Sequence, residues 1–324
     1  MLRNPIQRTC QTLLRSAVLP LSLLVALTIF IQSVFAAESD FIGRWNLTLL
    51  ETDGYASAWL QIQPTASKDK SGQLVWIFGG AEPLEDVSIS EDTLTFSHLF
   101  MGKRLHFTAR YASNALSGTA TDHSSTIRWN GVRAPDLRAP TALRPGTPVA
   151  LFTGHTLSGW TLRNGSSPSC WHAEAGILFN DRSCADLKSN IDFWNFHLHL
   201  EFRLDDKGGS GVYLRGRYEV QIDHDGNMPP TPRSTGAIFG HIAPTLSAGK
   251  NPDEWQTLDV TLIGREVTVR LNDHVVIAHE QIPGPTGAAL DSDEARPGPI
   301  MLQGDHGRVS FRNIVITPLL KEIP

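Results

Sequence analysis

The sequence predicts an all-β protein in two parts: a small antiparallel meander or barrel, followed by a larger two-sheet antiparallel sandwich of jelly-roll type. Three observations carry this. Apolar and polar residues alternate in short runs, no segment keeps a convincing helical period, and 27 glycines and 20 prolines punctuate the 324 residues.

Residues 1–36 carry Arg3, Arg8 and Arg15, an uncharged apolar run over 17–31, and Val34-Phe35-Ala36 as a small-residue cleavage pattern. This reads as an export signal to the periplasm or the extracellular space. The run is short of the ~20 residues a spanning helix prefers, and no second run of that length follows, so no membrane span is expected in the processed chain. Retention as an N-terminal anchor is the alternative. Cys10 precedes the run, which argues against a lipid-modified cysteine at the processing site.

Residues 37–132 form the small all-β part, with strands expected at 45–49, 58–62, 74–78, 93–96 and 105–109. Gly43-Arg44-Trp45 resembles the Gly-x-Trp opening of lipocalin-like barrels, and a Trp buried after a turn glycine is the plainer reading. Residues 133–148, RAPDLRAPTALRPGTP, hold four prolines without apolar periodicity and read as a stiff linker. Strands resume over 149–324. The run 197–203 alternates strictly, with apolar residues on one face and His197, His199, Glu201 and Arg203 on the other. Further strands are expected within 211–223, 257–263, 267–271, 275–279, 298–303 and 309–317, and 252–254 is the expected turn of helix.

The net charge is −5, and removal of residues 1–36 takes away three arginines and no acid. A mildly acidic chain without Lys/Arg runs is poorly suited to phosphate backbones, so nucleic acid is not an expected partner. Beyond residue 36 the only cysteines are Cys170 and Cys184, which predicts one disulfide in an oxidising compartment and excludes a CxxC-type metal or redox site. No Walker loop, nucleophile elbow or dinucleotide fingerprint is present.

The stretch 211–223, GVYLRGRYEVQID, organises the search for a site. Its odd positions are Tyr213, Arg215, Arg217, Glu219, Gln221 and Asp223, and its even positions include Val212, Leu214, Val220 and Ile222. Extended over about 40 Å, it has one apolar face and one unusually rich in sugar-binding chemistry. Gly216 marks a hairpin turn as the alternative to one continuous strand.

Leu151-Phe152-Thr153-Gly154 with Leu157-Ser158-Gly159-Trp160, Ser210 to Arg215, Tyr218 to Asp223, Thr235 to Gly240, Glu254-Trp255, Leu271-Asn272-Asp273, Gly298 to Gly307 and Phe311 to Ile314 follow one another in order. This series resembles the 3-keto-disaccharide hydrolase domain family, also described as a 3-keto-glucoside 1,2-lyase and 2-hydroxy-glucal hydratase domain. The resemblance covers roughly residues 149–320 and implies a concanavalin A-like jelly roll. Asp273 stands where a glycine is usual, and Gly-Gly-Ser before Gly211 replaces a common Asn-Ser. The implied function is an exported enzyme that cleaves 3-keto-glycosides by C2 proton abstraction, elimination and hydration. A non-catalytic carbohydrate-binding module on the same scaffold is the alternative, and the N-terminal barrel as a ligand binder is a third reading.

Such chemistry needs a base above C2, a partner for the enolate oxygen and an acid for the leaving oxygen. A divalent cation chelated by the C3 oxygen and the C2 hydroxyl can serve the second role, with His306 and Asp223 as candidate ligands. Glu219 and Asp223 share a strand face, with neighbours about 6 to 7 Å apart, and flank a sugar ring or form an arginine–carboxylate ladder with Arg215. Gln221 between them suits sugar hydroxyls. His306, bracketed by Gly304 and Gly307, is a base, an acid or a metal ligand, or a turn histidine capped by Asp305. Catalytic candidates are therefore Glu219, Asp223 and His306. Substrate-binding candidates are Arg215, Gln221, Glu201, Trp160, His241 and Gln303, with Trp160 and Trp255 as flat platforms or core residues. His224 is a further candidate, and Asp291, Asp293 and Glu294 form an acidic loop that suits calcium or solvent.

Overall fold

The computed structural model describes residues 37–322, apart from 51, 53, 65–70, 141, 167–169, 207 and 225–227. The expected export signal over 1–36 lies outside them. Among the described residues the single helix is a three-residue 3-10 turn, Glu38–Asp40. Residues 252–254 make a turn without helix, with Asp253 in the left-handed region at φ 63°. No helix of the described residues is long and apolar enough to cross a membrane.

The N-terminal part is one antiparallel sheet. Its order is Glu82–Pro83, Ser71–Val75, Ser57–Gln63, Gly43–Leu49, Thr126–Arg133, Ala115–Thr121, Lys103–Ala112, Thr93–Phe100 and Glu85–Ser90. The two end strands are separated in sequence by Leu84 alone, so the sheet curls back on itself as a barrel. Alternation explains the filling: Trp45, Leu47, Leu60, Phe96, Phe107 and Trp129 point inward, and Phe96 stacks on Phe107 at 4.5 Å. Trp45 is fully buried under the Arg133 guanidinium, 3.8 Å from the ring centre, and donates its Nε1–H to Phe41 O. The strand expected over 74–78 ends at Val75, and Trp76 to Phe78 lead out of the sheet.

Part of the stretch 133–148 is strand. Leu143–Pro145 and Val149–Ala150 pair with the long strand Val309–Lys321 and extend the sandwich. That sandwich has two sheets. One runs Trp171–Glu174, Ile177–Asn180, Val309–Lys321, Phe196–Leu204, Gln256–Ile263, Glu266–Leu271, His274–Gln281. The other runs Trp160–Leu162, Leu187–Phe193, Gly298–Leu302, Ser210–Leu214, Tyr218–Ile222. Leu198, Leu200 and Phe202 from the first sheet meet Val212, Leu214, Val220 and Ile222 from the second in one core. Cys170 and Cys184 form a disulfide.

Barrel and sandwich belong to one unit, Ala36–Pro324. Their seam is polar and closely fitted. Arg44 pairs with the fully buried Glu294, which also accepts the Tyr218 hydroxyl at 2.6 Å. Trp59 donates Nε1–H to Pro285 O at 2.7 Å, and Asn46 donates to Ser292 O at 2.8 Å. In the acidic loop Asp293 stands in solvent beside Arg296, and the other two acids are drawn into the fold. Asp291 binds Arg217, and Glu294 anchors the barrel.

Removing Glu294 would leave the Arg44 guanidinium buried without its counter-charge. Glu294→Ala is expected to cost about 3–5 kcal/mol, read as a lowered urea midpoint, and the double replacement Arg44→Met with Glu294→Leu to recover most of it.

Candidate active site

The stretch 211–223 is a hairpin. Arg215 (φ 53°) and Gly216 (φ 68°) both occupy the left-handed region, and Arg217 N–H donates to Leu214 O at 3.0 Å, closing a turn in which Arg217 is the third connecting residue before Tyr218 pairs with Leu214. Because three residues separate the strands, parity survives the turn. Tyr213 lies opposite Glu219, and Gly211 opposite Gln221. These residues share the face turned away from the sandwich core.

That face floors a cavity of about 460 Å³. The sandwich contributes Ser210, Tyr213, Glu219, Gln221, Asp223, Arg233, Phe239, Gln303, Asp305 and His306, together with glycines 208, 209 and 287 and Ala288. The barrel contributes Phe78 and Gly79. Its volume lies within the roughly 300–1,000 Å³ usual for ligand sites.

Glu219 is 2 % exposed and accepts the Tyr213 hydroxyl on Oε2 at 3.0 Å. Gly211 makes room for it: a Cβ there would lie 2.2 Å from Glu219 Oε1. Burial pushes the Glu219 carboxyl from its ordinary 4.5 up to about 8; the Tyr213 hydrogen bond opposes this and the charge of Asp186 adds to it. Burial likewise raises the Tyr213 phenol well above its ordinary value. His306 Nδ1 and Asp305 Oδ1 form a hydrogen-bonded ion pair. That bond is the main reason that the imidazole is raised above 6.5 and the Asp305 carboxyl lowered. Asp186 sits behind the wall, takes Gly304 N–H at 3.2 Å and faces Arg163 at 3.5 Å.

Glu219, Gln221, Asp223, Gln303 and His306 thus line one cavity, and four other expected residues do not. Arg215 turns inward at the hairpin tip, where it donates to Gly264 O at 2.6 Å and lies 4.4 Å from the Trp194 ring centre. Glu201 belongs to the opposite sheet, where Arg312 and Asn313 hold it on the outer face. Trp160 is buried in the core with Nε1–H on Leu151 O. His241 is half-buried at the seam, its ring 5.8 Å from that of Trp59 and Nε2 3.3 Å from Pro285 O; desolvation lowers it to about 4. His224 Nε2 contacts Asp205 O, and His197 and His199 share Asp259 on the outer face. Phe78 and Gly79 were not legible in the sequence, because the motif series that marks a site covers only the C-terminal part. Nor was Asp186, which no local pattern marks.

His306 and Asp223, the candidate metal ligands, both line the cavity, and among the described residues no three His, Cys, Asp or Glu side chains gather as a ligand group.

Native Glu219 keeps its proton between about pH 4.5 and 8, where the unfolded chain has released it. The folded state then binds more protons, so stability falls as pH rises through this window. Thermal unfolding should show the parent losing on the order of 4 kcal/mol more than Glu219→Gln between the two ends. Parallel pH curves would contradict the raised carboxyl.

The profile of the 3-keto-alpha-glucoside-1,2-lyase-like domain matches residues 147–317. No curated protein matches the chain. Three crystal structures of proteins from Parabacteroides distasonis ATCC 8503, provisionally named glycosyl hydrolases, are similar. The first is 27% identical with a TM-score of 0.46, over 55% of this chain and 92% of that one. The second is 19% identical with a TM-score of 0.45, over 55% and 94%. The third is 25% identical with a TM-score of 0.43, over 53% and 100%. With more than half of its length matched by that profile, the chain belongs to the 3-keto-alpha-glucoside-1,2-lyase-like domain family, a carbohydrate-active family.

Proposed function

We propose that the protein cleaves 3-keto-glucosides, with Glu219 as the base at C2 and His306 as the acid at the leaving oxygen. The observation that carries this is a buried carboxyl, pushed up to about 8, in the same cavity as an imidazole that its hydrogen bond to Asp305 raises above 6.5. Groups tuned toward neutrality are the ones that exchange protons efficiently at neutral pH.

The C3 ketone acidifies the C2 hydrogen. Glu219 takes that proton, and the C2–H pair becomes the enolate, with charge on the C3 oxygen. The pair then moves to C1–C2 as the C1–O bond breaks, and His306 protonates the departing oxygen. Water then adds its oxygen to C1 and gives one proton back to His306 while Glu219 returns its proton to C2, and this completes a net hydrolysis. The Tyr213 hydroxyl orients the carboxylate, Asp305 holds the imidazolium, and Gln221, Gln303 and Asp223 suit the sugar hydroxyls. Export to an oxidising compartment belongs to the same proposal, supported by the apolar, basic-headed residues 1–36 and by the Cys170–Cys184 disulfide.

Glu219→Gln should lower kcat on a 3-keto-glucoside by about 10²–10⁴-fold, read as aglycone release. In the parent, kcat/KM should rise with pH toward about 8, and this limb should vanish in the variant. Unchanged turnover in Glu219→Gln would remove the proposal. His306→Gln should slow an alkyl leaving group at least about tenfold more than a nitrophenyl one, which needs no acid. Equal slowing would take the acid role away from His306.

A further inference from the structure

The cavity has a wall that the matched family profile does not include. Phe78 and Gly79 lie in the barrel, outside residues 147–317. Phe78 is 42% exposed, and its ring meets Tyr55 edge-on at 4.9 Å. Tyr55 in turn lies 4.3 Å beneath the Arg163 guanidinium, which donates to Gly54 O, Ala288 O and Ala289 O. An exposed aromatic so braced is a rigid platform.

Close backbone approach sets a second aromatic beside it. A Cβ on Gly80 would lie 2.9 Å from Gly240 Cα, so the residues next to this contact, Phe78 and Phe239, border the cavity from the two sides of the seam. The rest of this wall, Gly79, Gly287 and Ala288, has no polar side chain. Three of its backbone groups are already engaged. Gly287 O accepts the Tyr213 hydroxyl, Ala288 N–H donates to Ile77 O, and Ala288 O accepts Arg163. Polar side chains able to read hydroxyls, Glu219, Gln221, Gln303 and His306, line the rest of the cavity, and the Arg233 guanidinium lies 5.0 Å from the Phe239 ring centre.

We propose that Phe78 and Phe239 form a leaving-group subsite that selects glucosides with a flat aromatic aglycone over disaccharides. A second sugar would bring hydroxyls to a wall with few free partners, and unpaired polar groups there are costly. An aromatic ring would lose nothing and gain stacking. This assignment rests on the reading of the cavity as a 3-keto-glucoside site.

The test uses ordinary, unoxidised glucosides, whose binding needs no turnover. Calorimetry would compare 4-nitrophenyl glucoside, methyl glucoside and a glucose disaccharide on the full chain. The aryl glucoside is expected to bind tightest, and Phe78→Ala to reduce its preference over methyl glucoside about three- to tenfold, with Phe78→Tyr restoring it. A preference unchanged in Phe78→Ala, or tighter binding of the disaccharide, overturns the subsite. Phe78-dependent aryl binding without cleavage of any 3-keto-glucoside would uphold the subsite and remove the catalytic reading instead.

Discussion

Backbone-to-backbone contact across the seam is the constraint on which the site depends. Gly80 meets Gly240, Gly79 meets Gly287, and Ala288 N–H donates to Ile77 O, at distances that leave no room for side chains. The barrel is thereby seated on the sheet face of the sandwich that carries Tyr213 and Glu219. Without that cover Tyr213 and Glu219 would stand on a solvated sheet face, and solvation would hold the carboxyl near its ordinary range. Docking and proton affinity are therefore one physical fact seen from two sides.

Holding two polar faces together requires charges that are spent internally. Arg44, Arg163, Arg215 and Arg217 each place a buried or nearly buried guanidinium on carbonyls or carboxylates of another segment. Arg163 joins both halves of the molecule, through Gly54 O on one side and Ala288 O on the other. Guanidinium suits this because its planar fork satisfies several acceptors at once and remains charged when buried. The same preference explains why the guanidiniums of the polar stretch were withdrawn from the ligand face.

Much of the architecture was legible in the sequence. Period-two alternation marked the Phe196–Leu204 strand and both strands of the Ser210–Ile222 hairpin, and the in-order motifs pointed to the jelly roll. Weaker strands such as Ala115–Thr121 and Thr126–Arg133 escaped, because Ser, Thr and Gly dilute their apolar pattern. In the site, Glu219, Gln221 and His306 were legible from face-sharing and from the glycine-bracketed turn. Glu201 was not, since sequence cannot say that the chain crosses to the other sheet between residues 204 and 210. Nor does periodicity distinguish a polar side chain facing a ligand from one that turns back into the fold, which is how Arg215 misled. Phe78 was invisible for a different reason: its role arises only when two separately readable halves meet.

The placement of Glu219 finally rests on two small features that carry no chemistry themselves. The turn spans three residues, so Tyr213 and Glu219 come opposite each other on one face; a two-residue turn would have set Glu219 against an even-numbered, core-facing position and reversed one strand. Gly211 then yields the space that its own Cβ would fill, so the carboxyl folds down against the sheet under the Tyr213 hydroxyl. Gly211 does not occupy the left-handed region, so backbone conformation does not require a glycine there. What requires it is the carboxyl above it, and in this sense the missing side chain belongs to the site as much as the residues that line it.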